Sequence, residues 1–154
     1  MSHVIEDDTD TEGLSIVLRH LEHTDRRELD RAAADCAPDV RIHGLCSEPI
    51  GSGVWKQAMH SLLTAFPDGR FAVEDVLADG DRVAVRQTFR GTQEGAFLGI
   101  APTGRRVTVA ATVMYRVAGA RIAESWWSAD VLGLLRQLDA APAAGYGVVS
   151  RPGS

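Results

Sequence analysis

At 154 residues with 45% apolar content, the chain has material for one hydrophobic core and is too short for two ordinary domains. Its net charge of -5, with Lys56 the single lysine and the arginines scattered, argues against a nucleic-acid partner, which needs clustered positive charge. No window reaches the roughly 18 apolar residues of a membrane span, and the acidic start MSHVIEDDTDTEG is unlike a secretory signal, so a cytoplasmic location is expected.

Residues 1–11 are polar and acidic and are expected to be a disordered leader. A first helix follows, with Leu14, Val17, Leu18 and Leu21 at i, i+3, i+4, i+7. Asp25 and Glu28 have the spacing of a capping box, which predicts a second helix through Leu29, Ala32, Ala33 and Cys36, stopped by Pro38. Cys36 and Cys46 lack metal-ligand spacing and read as reduced thiols, with a disulfide as the alternative. A short strand is expected over Val40 to Leu45. A third helix runs from about Gly53 to Phe66 with Trp55, Met59, Leu62 and Phe66 on one face, ended by Pro67-Asp68-Gly69.

The remainder alternates with the period of strands. Phe71, Val73, Asp75 and Leu77 share one parity, then Val83, Val85, Gln87 and Phe89, then Val107, Val109, Ala111, Val113, Tyr115 and Val117. In the last run, Ile122 to Ala129, either parity fits inward; Trp126 and Trp127 must point to opposite faces. Asp130 stands where an N-cap would, before Val131, Leu134, Leu135 and Leu138. Residues 140–154, rich in Gly, Ala and Pro, read as a flexible tail. The pattern predicts one α+β domain over residues 12–139: a cone-shaped, strongly curved antiparallel sheet covered by three N-terminal helices, with a short C-terminal helix. The outer sheet face around Thr112, Met114 and Trp126 is apolar enough to predict a homodimer.

The stretches FPDGRFAVEDVLADGDRVAVRQTFRGTQEGAFLGIAPTGRRV and RVAGARIAESWWSADVLGLLRQL resemble the SnoaL-like polyketide cyclase family, of the cone-shaped nuclear-transport-factor-like superfamily. The resemblance covers about Leu14 to Leu138. It implies a cofactor-free enzyme of isomerase or lyase type in natural-product, including antibiotic, biosynthesis, closing a ring by intramolecular aldol condensation with a carboxylate on the last strand. Counting back three residues from Asp130 puts Trp127 at that carboxylate's position, and Val113 falls at the position of the family's partner histidine.

The remaining candidates for chemistry are few. His43 is a candidate acid or base, or else a rim histidine bonded to backbone. Asp130 is a candidate acid at the pocket mouth or a plain N-cap, and Asp75, on the parity of Phe71 and Leu77, a carboxylate aimed inward. Gln87 and Tyr115 put polar groups on apolar faces, where each needs a partner, protein or ligand. Trp127, Trp55, Met59 and Phe89 supply apolar wall. No metal site or phosphate loop is present in the pattern, so the expectation is a cofactor-free cyclase acting on an apolar small molecule, or alternatively a non-catalytic binder, or a hydroxylase or epoxide-opening relative.

Overall fold

A computed structural model describes residues 8–140. The order is α1 (Asp8–Asp25), α2 (Leu29–Ala34), β1 (Cys36–His43), α3 (Ser52–Ala65), β2 (Arg70–Asp79), β3 (Arg82–Thr92), β4 (Arg106–Ala118), β5 (Arg121–Ala129) and α4 (Val131–Gln137). Helix α1 takes in the last four residues of the expected leader; the rest of the leader and residues 141–154 lie outside the described residues.

The five strands form one sheet in the order β1-β5-β4-β3-β2. The sheet is mixed, not wholly antiparallel: β1 runs parallel to β5, and the other three pairings are antiparallel. A parallel neighbour needs a crossover, and the chain between β1 and β5 supplies a long one. Being an edge strand, β1 also tolerates Pro38, which lies in the stretch between Cys36 and Arg41 where the register shifts.

Two core clusters fill the concave side. The larger packs Ile16 and Val17 of α1 and Trp55 and Met59 of α3 against Val76, Val83, Val85, Val113, Tyr115 and Ile122. The smaller gathers Phe66, Phe89, Val107 and Val109 under Leu134 and Leu138 at the α4 end. Each fully buried large apolar side chain contributes about 1.5–3 kcal/mol to this packing.

Three local expectations need correction. Asp25 lies inside α1 and starts nothing; the chain turns at Arg27, whose φ of 62° is left-handed, and Glu28 precedes α2 without a side-chain cap bond. On α1 the buried stripe is Ile16, Val17, His20 and Thr24, while Leu18 is exposed, so the stripe is rotated from the purely apolar count. In β2 the register shifts between Val73 and Asp75, which turns Val76 and Ala78 inward and leaves Leu77 51% exposed.

Among the described residues no helix is long and apolar enough to cross a membrane.

Candidate functional site

The inward faces of β3, β4 and β5 meet α1 and α3 around a small cavity lined by His20, Leu21, Thr24, Trp55, Phe71, Gln87, Tyr115 and Trp127. The sheet brings Gln87, Tyr115 and Trp127 inward because all three keep the parity of the buried valines. Val113 and Trp127 are cross-strand partners, so the two positions at which the sequence resemblance implies acid and base pair here as an aliphatic and an aromatic group. Trp127 is held from behind by Gly44 at the end of β1. Gly44 has φ 95°, and any Cβ there would collide with the Trp127 carbonyl.

The volume open to a water centre is only about 10 Å³, room for about one water molecule. Its walls are mostly apolar, yet two fully buried polar atoms on it, Gln87 Oε1 and Tyr115 Oη, have no hydrogen-bond partner. A buried polar group left unmade costs about 1–3 kcal/mol. Burial also drives the Tyr115 hydroxyl pKa well above its ordinary value, so the group stays a donor.

His20 was not legible as a site residue from the apolar pattern. It is 3% exposed, and its Nδ1 lies 2.9 Å from the Ala32 carbonyl oxygen. That oxygen can only accept, so Nδ1 carries the proton and Nε2 is left as a bare acceptor. The imidazole stacks at a tilt on Trp55, with ring centroids 5.1 Å apart, and presents an edge contact to Tyr115 at 6.0 Å. Behind it, buried Asp35 accepts from Arg19 Nε at 2.8 Å and His23 Nδ1 at 2.7 Å, and sits 3.9 Å from His20 Nδ1.

Burial pushes the His20 pKa from 6.5 down to about 4, against the opposing pull of the Ala32 bond and Asp35. The unfolded chain takes a proton at the ordinary value and the folded chain only near 4. Stability present above pH 6.5 is therefore lost as pH falls through that window, by about 3 kcal/mol for this one group. Urea midpoints of the wild type should fall between pH 6.5 and pH 4 more steeply than those of His20→Asn. Parallel pH profiles for the two proteins would contradict the neutral buried imidazole.

The other candidates lie elsewhere. His43 alternates with buried Val40 and Ile42 and so points to the outer face, where its Nε2 donates to Glu124 Oε2 at 2.7 Å and its ring stacks on Trp126. The His43 bond, helped by Arg116, holds the Glu124 carboxyl below its ordinary pKa. Asp75 follows the β2 register shift to the outer face opposite Arg86, with Oδ1 buried and unpaired. Asp130 caps α4, accepting from Gly133 N–H at 2.9 Å, beside an open surface groove. Met59 and Phe89 are buried in the two core clusters and do not line the cavity; Trp55 does. Among the described residues no group of three or more His, Cys, Asp or Glu side chains is placed to hold a metal, and Cys36 and Cys46 are free thiols.

Residues 15–138 match the family model for SnoaL-like polyketide cyclases. AclR of Streptomyces galilaeus, a candidate hydroxylase, is 28% identical with a TM-score of 0.79, over 86% of this chain and 99% of its own. IdmH of Streptomyces antibioticus, a candidate polyketide cyclase, is 29% identical with a TM-score of 0.73, over 82% and 98%. A SnoaL-like protein of Jannaschia at 24% identity shares the fold, with a TM-score of 0.79 over 90% and 99%. No curated protein matches the sequence.

Proposed function

The chain belongs to the SnoaL-like polyketide cyclase family, and we propose that it is a cofactor-independent cyclase acting on a polyketide or related natural-product intermediate in the cavity between α1, α3 and the sheet. The observation that carries this reading is the pair of buried, unpaired atoms, Gln87 Oε1 and Tyr115 Oη, on residues that line a mostly apolar cavity with Trp127. Such groups are satisfied by a ligand that brings an acceptor for the hydroxyl and a donor for the amide oxygen. The larger surface grooves, over Lys56 and His60 and beside Asp130, contain neither of these unpaired atoms. The cavity has room for about one water, so substrate enters as the helices draw back from the sheet.

Trp127 replaces a carboxylate, and its role is to fold a flexible chain against a flat wall so that reacting carbons meet. Holding them in that geometry supplies roughly 7 to 11 kcal/mol of a barrier in favourable cases. The enzyme is then of isomerase or lyase type, cytoplasmic, and part of natural-product or antibiotic biosynthesis. A non-catalytic binder is the second reading, favoured by Val113 and Trp127 leaving both family acid/base positions without a titratable group. Incubation with a linear poly-β-ketone thioester distinguishes them. The enzyme reading expects a cyclised product of equal mass, or one lighter by water, formed at an unchanged rate in EDTA. Tight binding without product selects the binder, and loss of turnover in EDTA ends the cofactor-free account.

The protein is further read as a homodimer through the outer face, where Met114 is 38% exposed and the Arg82 guanidinium lies 5.2 Å from the Trp126 ring centroid. Sedimentation at micromolar concentration should give twice the 16.6 kDa chain mass; a monomer rejects it.

A further inference from the structure

We infer that His20 on α1 is the proton-transfer residue of this cavity, its Nε2 taking a proton from a carbon flanked by two carbonyls while the Tyr115 hydroxyl donates to the carbonyl oxygen that gains charge. The inference rests on the cavity being the reaction site. Three observations support it. His20 shares the cavity lining with Tyr115, Gln87 and Trp127. The Ala32 carbonyl fixes the proton on Nδ1, which leaves Nε2 as the ring's acceptor. Asp35, 3.9 Å from Nδ1 and buried, is placed to favour the imidazolium once it forms.

The ionisable groups around the imidazole are Arg19 and His23 on α1, Asp35 before β1, Cys36 at its start, with a thiol pushed up to about 12, and Tyr115 on β4. Helix α3 presents Trp55, and β2, β3 and β5 line the cavity with Phe71, Gln87 and Trp127, none of which titrates. A desolvated imidazole is a weak base. It removes protons at a useful rate only from carbon acidified on both sides, which specifies a 1,3-dicarbonyl segment of the substrate.

The step balances without a co-reactant. The C–H bond breaks, its electron pair becomes the enolate double bond, and the proton goes to Nε2. The enolate carbon then bonds to a second carbonyl carbon of the same chain, whose π pair moves to oxygen. Nε2–H returns the proton to that alkoxide.

The probe is ethyl 2-methylacetoacetate, which carries one hydrogen between two carbonyls. Its exchange for deuterium in D2O is followed by proton NMR, and its binding by quenching of tryptophan fluorescence. Wild type should accelerate exchange about 100-fold over buffer. His20→Asn, whose amide can still donate to the Ala32 carbonyl, should bind the probe and exchange it at the buffer rate; Tyr115→Phe should lose about as much. Exchange by His20→Asn equal to wild type, with the probe bound, overturns the His20 assignment and leaves the cavity standing. Neither quenching nor exchange by wild type overturns the cavity reading and the assignment together. Nitrogen-15 NMR of the wild type gives a check independent of any variant: at pH 7 His20 should be the Nδ1–H tautomer, and an Nε2–H tautomer rejects the assignment.

Discussion

Tyr115→Phe should yield a protein that is more stable and nearly inactive. The hydroxyl is buried with its ring and meets no partner. Removing it leaves an isosteric ring in the same core while relieving an unmade hydrogen bond worth about 1–3 kcal/mol. For a domain of this size that raises Tm by about 3 °C or more. The same deletion removes the donor placed for a developing oxyanion, a loss of about 100-fold in turnover. Opposite signs for stability and activity are the signature of a group kept for function at a cost to folding. Thermal denaturation together with single-turnover rates on a poly-β-ketone precursor measures both. A lower Tm would mean that the hydroxyl is paired in the folded protein, and unchanged turnover would remove Tyr115 from the site.

The closed cavity and the unpaired atoms belong together. The folded chain carries the cost of the unmade bonds of Gln87 Oε1 and Tyr115 Oη. On the proposed function, a substrate that reaches them recovers part of that cost on binding.

Much of this arrangement was legible in the sequence where periodicity runs uninterrupted. β3 and β4 pair residue for residue from Arg82–Arg116 to Thr92–Arg106, so the parity that buries Val83 also buries Gln87, and the one that buries Val113 buries Tyr115. Trp126 and Trp127 part to opposite faces for the same reason, opposite Met114 and Val113. The inward aim expected for Asp75 failed because a register shift resets parity at Val73/Asp75, and nothing in FAVEDVL marks it. His43 faces outward by simple alternation, since Val40 and Ile42 are buried and Arg41 and His43 fall between and after them.

His20 lies where a purely apolar count on α1 does not reach. Counting apolar residues on α1 selects Leu14, Val17, Leu18 and Leu21, whereas the buried stripe includes a histidine and a threonine. The signal is His20 and Thr24 at i+3 and i+7 from Val17, two polar groups at helical spacing on the face that must pack. Two of their polar atoms are met by backbone carbonyls, Thr24 Oγ1 donating to the His20 carbonyl at 2.9 Å and His20 Nδ1 to that of Ala32, while His20 Nε2 stays a bare acceptor. Such bonds depend on where α2 folds back, which no local pattern on α1 specifies.

On the proposed function, substrate is folded against Trp127 inside the cavity and not at the groove beside α4. Trp127→Ala removes the wall and frees many unproductive conformers, a loss of about 100-fold for even small misplacement of reacting atoms. Asp130→Asn leaves a residue that caps a helix about as well as aspartate, so it should alter turnover little. Both variants need circular dichroism to confirm their fold, because Trp127 packs on the main core. The decisive measurement is the single-turnover rate of the two on the same poly-β-ketone precursor. Trp127→Ala should fall about 100-fold while Asp130→Asn stays near wild type. Abolished turnover in Asp130→Asn with Trp127→Ala intact would contradict it and move the chemistry to the α4 groove.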